Sequence, residues 1–111
     1  MHYIVGDIGN TSTRICLLNK NFKIIKSIII DTKKIFIKGY MKKIFKKLFK
    51  INVKKKILFS SVVPFALKRI KNCLKDLNKD AVEIKKFNLK RLIKLNIKNI
   101  NQIGSDRIVN S

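Results

Sequence analysis

Acidic residues are the scarcer charged class in this chain, with 6 Asp plus Glu against 27 Lys plus Arg among 111 residues. Cysteine, histidine and proline are also rare, with two, one and one copies, and tryptophan is absent. Cys16 and Cys73 are far apart and neither has a histidine nearby in the sequence, which disfavours a Cys/His metal site. Two buried, reduced thiols are the simpler interpretation, with a disulfide as the alternative.

Long apolar runs are missing as well. No stretch reaches the roughly 20 apolar residues that a membrane-spanning helix requires. The apolar start of the chain is interrupted by Asp7 and lacks the basic and small-residue regions of a secretory signal. We therefore expect a cytoplasmic chain with no membrane association.

The basic residues give a net charge of +21 and a pI near 10.4. Such a charge is typical of proteins that bind nucleic acid or anionic membranes. Here the lysines are spread from Lys20 to Lys98 rather than clustered, and Lys greatly outnumbers Arg, the residue best suited to nucleic-acid recognition. Ile, Lys and Asn also have A/T-rich codons, so a biased genome yields this composition without a polyanionic partner. We expect a solvated basic surface, with nucleic-acid binding as the alternative.

The length and the 46% hydrophobic content are sufficient for one domain with its own core. Periodicity predicts strands over 2–7, 11–18, 22–30, 55–63 and 81–87, helices over 35–50 and 64–77, and a loop leading into a further helix over 103–111. Three consecutive antiparallel strands followed by alternating helices and strands indicate a ribonuclease H-like α/β domain with a mixed sheet.

The segment GDIGNTST at 6–13 places one of the few carboxylates, Asp7, at the end of an apolar strand. Gly9 permits main-chain conformations that bring N–H groups close to a ligand, and the hydroxyls at 11–13 add hydrogen-bond donors. A carboxylate at this position can hold Mg²⁺, directly or through water. A site for phosphate and metal fits these residues, and an ordinary hairpin in which Asp7 and Asn10 bond to the local backbone is the alternative.

Two later segments also combine polar residues with the predicted end of a strand or start of a helix. SSVVP at 60–64 is a strand end whose serines can cap the helix that begins at Pro64. In IGSDRIVNS at 103–111, Asp106 and Arg107 stand at the head of a predicted helix, where the N-terminal end favours anions. Asp106 is either a helix cap with Arg107 as its partner, or a general base toward a substrate hydroxyl with Arg107 neutralising phosphate or substrate charge.

Together, DIGNT, SSVVP and GSDRIVNS resemble, in order and approximate spacing, the type III pantothenate kinases of bacterial coenzyme A synthesis. The order of predicted strands and helices resembles that of the family over the whole chain. The most specific block is G-[AS]-D-R-[IL]-V-N, whereas D-x-G-N-T is shared across the acetate kinase, sugar kinase and actin-like ATPase superfamily. The resemblance implies ATP-dependent phosphorylation of pantothenate to 4'-phosphopantothenate, the first step of coenzyme A biosynthesis, with Mg²⁺ accompanying ATP.

The resemblance also implies two groups of site residues. The ATP phosphates would be bound by Asp7, Ile8, Gly9, Asn10, Thr11, Ser12, Thr13 and Arg14, with Asp7 oriented toward the Mg²⁺. The substrate would be bound by Gly104, Ser105, Asp106 and Arg107, with Asp106 as the catalytic base. These residue types suit phosphoryl transfer, because that reaction depends mostly on positioning and charge neutralisation, with one carboxylate accepting the hydroxyl proton.

Members of this family carry a second, C-terminal domain with another nucleotide motif and an acidic site for a monovalent cation, K⁺ or NH₄⁺. The resemblance thus implies that residues 1–111 are an incomplete N-terminal kinase domain, inactive by itself, of a protein that works as a homodimer. Ile97 and Ile100 stand where many members have an aromatic residue and a proline. The alternatives are a non-catalytic kinase-like transcriptional regulator or nucleic-acid-binding protein, and an inactive fragment.

In the complete protein, Asp106→Asn is expected to lower kcat by about 10²–10⁴-fold, which is the usual contribution of a general base. The amide has nearly the size of the carboxylate but does not accept the substrate proton. Turnover with ATP and pantothenate is the measurement. Near-normal turnover in a folded variant excludes Asp106 as the base.

Overall fold

The computed structural model describes residues 1–86, 88 and 89. The strands are β1 Tyr3–Ile8, β2 Ser12–Leu18, β3 Ile24–Asp31, β4 Lys56–Ser61 and β5 Asp80–Glu83. The helices are α1 Tyr40–Leu48 and α2 Pro64–Asp76, and a short 3-10 helix, Thr32–Phe36, follows β3. None of the helices in this part of the chain is long and apolar enough to cross a bilayer.

The five strands form one mixed sheet in the order β3-β2-β1-β4-β5. β1 pairs antiparallel with β2, and β2 pairs antiparallel with β3. β4 lies on the other side of β1 and is parallel to it, and β5 is parallel to β4. The predicted three antiparallel strands followed by alternating helices and strands are confirmed, as is the mixed α/β sheet.

Side chains alternate between the two faces of this sheet. One face packs against both helices in a core that includes Ile4, Ile8, Ile15, Ile57 and Phe59 of the strands, Met41 and Phe45 of α1, and Ile70 and Leu74 of α2. The other face carries a smaller cluster formed by Val5, Cys16, Leu18 and Leu89. Asp7 is two positions after Val5 in β1, so its side chain lies on this second face, at the end of the strand.

The helix predicted over 35–50 is shorter in the structure. Its α-helical part starts at Tyr40, because Gly39 adopts a left-handed conformation with φ of 79° and separates it from the preceding 3-10 turn. The strand predicted over 81–87 is also shorter. β5 ends at Glu83, and the amide of Leu89 then donates to the carbonyl of Lys85, as in a helical turn. The start of α2 at Pro64 is confirmed.

The two cysteines are free thiols, and they lie on opposite faces of the sheet. Cys16 belongs to the smaller cluster, whereas Cys73 of α2 packs against the larger core. Burial raises the pKa of the Cys16 thiol; a hydrogen bond with Ser27 partly offsets this, and the charge of Asp7 adds to it. The two thiols are therefore free, as predicted, but the predicted burial holds for Cys16 and not for Cys73, which is only partly buried.

Gly6, in the middle of β1, lies beside Phe59 of β4. A Cβ atom added at Gly6 would overlap the Phe59 ring. That ring is fully buried and packs edge-on against Phe45, with the ring centroids 6.5 Å apart, so it has no free space into which it could move. Glycine is therefore required at this position of the strand.

Gly6→Ala is expected to lower the free energy of unfolding by about 1–3 kcal/mol, the usual cost of overpacking a core. Denaturant-induced unfolding measures the change. The loss should be smaller in a Phe59→Leu background, where the shorter side chain leaves room for the added methyl group. An equal loss in both backgrounds would contradict the overlap.

Candidate active site

The candidate site lies at the edge of the sheet where the parallel strands β1 and β4 end. In their register Asp7 is beside Ser60, and Ile8 is beside Ser61. The two strands then lead in opposite directions, β1 into the hairpin with β2 and β4 into helix α2. In open α/β sheets a crevice forms where neighbouring strands diverge in this way, and ligands bind there, at the carboxyl ends of the strands.

Asp7 is held in place by two partners. The hydroxyl of Ser60 donates a hydrogen bond to Oδ1 of Asp7 at 2.6 Å, the short distance expected for a charged acceptor. The ammonium of Lys86 lies 3.5 Å from Oδ2. The Asp7 side chain is 35% exposed and that of Lys86 is 60% exposed, so this ion pair is worth only about 0–1 kcal/mol. Ser60 fixes the carboxylate, whereas Lys86 is easily displaced.

The two serines of SSVVP have different roles. Because side chains alternate along β4, Ser60 is directed to the same face as Asp7 and Ser61 to the helical face. The hydroxyl of Ser61 accepts a hydrogen bond from the amide of Val63 and donates one to the carbonyl of Val63, both at 3.0 Å. The predicted serine cap is therefore wrong, because α2 begins after Val63 with no side-chain cap hydrogen bond and Ser61 bonds only to the backbone of Val63. The contact with the site carboxylate belongs to Ser60.

A pocket of about 530 Å³ opens beside Asp7. Its lining residues come from the ends of β1, β4 and β5: Asp7, Ser60, Ser61, Val62, Glu83, Ile84, Lys85 and Lys86. The lining residues therefore include two carboxylates, two ammonium groups and the hydroxyl of Ser60, whereas the hydroxyl of Ser61 is bonded to Val63. This set of groups suits an anionic ligand that brings its own cation, because both kinds of charge find a partner.

The hairpin loop 9–11 forms the neighbouring part of the edge. The amide of Gly9 donates to the carbonyl of Ser12 at 2.9 Å, and a Cβ atom added at Gly9 would come as close as 2.9 Å to that same oxygen. Asn10, Thr11 and Ser12 are exposed. Glycine thus permits a tight loop in which the next three residues face solvent.

The remaining predicted residues of this segment are less accessible. The side chain of Ile8 is fully buried in the helical core, so only its backbone is available at the edge. Thr13 is also fully buried, and its hydroxyl pairs with that of Thr32 at 2.9 Å. Arg14 is half-buried and lies beside Asp7 in the β1–β2 ladder. Thr13 is therefore placed behind the loop and not on its surface.

The predicted substrate loop, Gly104, Ser105, Asp106 and Arg107, lies outside the described residues. Sequence reasoning missed two residues of the site that the structure brings to Asp7 and its loop, Lys86 and Thr32. Neither belongs to a recognisable motif. Of the residues in contact with Asp7, only Ser60 could be suspected from the sequence. A serine that ends a strand after an apolar run indicates a polar group at the edge of a sheet.

A metal ion bound by protein side chains alone is not supported in the described part of the chain, where no three His, Cys, Asp or Glu side chains are close enough to share one. Mg²⁺ does not require such a cage. It commonly binds one or two carboxylates together with substrate phosphates and water. The half-exposed carboxylate of Asp7, fixed on one oxygen and bordering an open pocket, fits a Mg²⁺ ion that arrives with a nucleotide.

A family model for type III pantothenate kinase matches residues 3–111. The chain belongs to the type III pantothenate kinase family. It is 45% identical over 109 residues to the type III pantothenate kinase of Pelagibacter ubique (strain HTCC1062), a match that covers 97% of this chain and 44% of that relative. The chain therefore spans less than half the length of this type III pantothenate kinase. The family resemblance of the three sequence blocks is confirmed.

The coupling between Asp7 and Ser60 is testable by a double-mutant cycle in this chain. Ser60→Ala and Asp7→Asn should show an interaction free energy of about 1 kcal/mol or more, because the hydroxyl bonds directly to a charged acceptor. Ser61→Ala is the matched control. It should be additive with Asp7→Asn to within about 0.5 kcal/mol, and denaturant-induced unfolding measures all the variants. Equal coupling for both serines would contradict the assigned contacts.

Proposed function

We propose that the complete protein transfers the γ-phosphoryl group of ATP to the terminal hydroxyl of pantothenate, giving 4'-phosphopantothenate for coenzyme A biosynthesis. Membership of the type III pantothenate kinase family supports this reaction. The single structural observation that carries it is the Asp7 carboxylate, fixed by Ser60 at the divergent ends of two parallel strands and next to an exposed Gly-Asn-Thr-Ser loop.

Within this proposal the segment 7–14 binds the ATP phosphates. Exposed hydroxyls and main-chain N–H groups of the loop contact phosphate oxygens, and Asp7 holds Mg²⁺ directly or through water. Bound Mg²⁺ supplies positive charge that offsets the negative charge of the phosphates. Lys86 neutralises Asp7 when no nucleotide is bound, and Lys85 and Lys86 add positive charge to the pocket wall. Thr13 supports the loop from behind.

The second half of the site is proposed from the family alone. Gly104, Ser105 and Arg107 bind pantothenate, and Asp106 accepts the proton of its hydroxyl. We propose that residues 1–111 form the N-terminal domain, of ribonuclease H-like (actin-like ATPase) type, and that a C-terminal domain completes the ATP cleft and holds K⁺ or NH₄⁺. The complete protein is proposed to be a cytoplasmic homodimer.

In the complete protein, Asp7→Asn is expected to reduce kcat/KM for Mg·ATP by about 10–100-fold, the usual effect of weakening a metal's environment. The amide lacks the negative charge that attracts Mg²⁺, so raising the Mg²⁺ concentration should recover part of the activity. The measurement is ADP formation that depends on pantothenate.

Asp76→Asn is the matched control, because Asp76 is an exposed carboxylate at the far end of α2. Its activity should equal that of the parent protein. If Asp7→Asn and Asp76→Asn have the same kinetics, Asp7 has no part in nucleotide binding. If the parent protein forms no phosphorylated pantothenate, the proposed function itself is wrong.

A further inference from the structure

Thr32, the first residue of the 3-10 helix after β3, makes three hydrogen bonds to the hairpin of the candidate site. Its amide donates to the carbonyl of Thr11 at 2.9 Å. Its hydroxyl donates to the carbonyl of Gly9 at 2.7 Å, and its Oγ1 lies 2.9 Å from Oγ1 of Thr13. A hydroxyl has a single hydrogen. Since that of Thr32 is used on Gly9, the hydroxyl of Thr13 is the donor to Thr32.

This chain of hydroxyls is buried, with Thr13 at 0% exposure and Thr32 at 4%. Water does not replace a lost partner of the Thr13–Thr32 pair at such a depth, so this bond is costly to break. The bond from Thr32 to Gly9 is partly buried. The directions along the chain are also fixed, from Thr13 to Thr32 and from Thr32 to Gly9. The loop is therefore attached to the interior at one defined side chain.

The attachment sets the orientation of two peptide groups in the loop. In a planar trans peptide the C=O of one residue and the N–H of the next point in opposite directions. Because the carbonyls of Gly9 and Thr11 point toward Thr32, the N–H groups of Asn10 and Ser12 point away from it. Asn10, Thr11 and Ser12 are exposed, so a ligand reaches this loop from the side opposite to Thr32.

We infer that Thr32 is a positioning residue for nucleotide binding, which acts through Gly9 and Thr11 and does not touch the ligand. It holds the loop so that amide hydrogens are presented to a phosphate group before the nucleotide arrives. A preformed set of donors avoids the cost of ordering the loop during binding. This role rests on the proposed kinase function, and it lies outside the three sequence blocks that identify the family.

The test compares Thr32→Ala with Thr32→Ser in the complete protein, because these variants differ by one hydroxyl group. The probe is Mg·ATP, whose dissociation constant is measured by calorimetry together with the KM values for ATP and pantothenate. Thr32→Ala removes the hydrogen bond to the Gly9 carbonyl and the acceptor of the Thr13 hydroxyl. It should weaken Mg·ATP binding by about tenfold, because the first of these bonds holds the loop. Thr32→Ser should stay within about threefold of the parent protein, and the KM for pantothenate should change little in either variant.

Ser27→Ala is the matched control, since it removes a hydroxyl from β3, the strand that precedes Thr32, where the partner is Cys16 and not the loop. It should leave Mg·ATP binding unchanged. The assigned role would be overturned if the folded Thr32→Ala and Thr32→Ser variants had the same dissociation constant for Mg·ATP. This holds whether that constant equals the parent's or is raised in both variants. If Thr32→Ala does not fold, Thr32→Val provides the same comparison with a side chain of nearly the original volume. Failure of the parent protein to bind Mg·ATP counts against the kinase proposal instead.

Discussion

The parallel pairing of β1 with β4 is the constraint on which the candidate site depends. It brings Asp7 and Ser60, 53 positions apart in the chain, into one hydrogen bond. The same pairing places Gly6 beside the buried Phe59 ring, which leaves no space for a side chain. Glycine within a strand carries an entropic cost, which the packing of Phe59 in the core offsets here. The carboxylate of the candidate site and the buried ring of β4 thus depend on one register.

The spacing of apolar residues along the sequence was sufficient to predict most of the strands and helices, because the two differ in the period of their apolar residues. It also located Asp7 at the end of a strand and Pro64 at the start of a helix. It could not predict which strands pair in parallel, since that depends on contacts between distant segments. For the same reason the contact of Ser60 with Asp7 and the attachment of Thr32 to the loop are visible only in the structure. The substrate loop was predicted from family resemblance and stays a prediction.

The loop of the site shows how an exposed segment obtains a defined shape. Residues 10–12 face solvent, but the carbonyls of Gly9 and Thr11 accept hydrogen bonds from Thr32. The carbonyl of Ser12 accepts one from the amide of Gly9. Functional loops are generally positioned by a rigid scaffold. Here the scaffold is Thr32, the residue that directly follows the edge strand β3, so a segment outside the pocket lining holds the loop of the site.

The position of Asp7 on the face opposite the helices separates it from much of the lysine-rich surface. Exposed lysines such as Lys43, Lys46, Lys68 and Lys71 lie on the outer sides of α1 and α2. A helix is about 10–12 Å thick with its side chains, whereas charges in solution are screened over about 8 Å at physiological salt. We therefore expect the lysines of the helices to affect the electrostatic potential at the carboxylate much less than Lys86, whose ammonium lies 3.5 Å from it. Further substitutions to lysine on the outer sides of α1 and α2 should leave the surroundings of Asp7 largely unchanged.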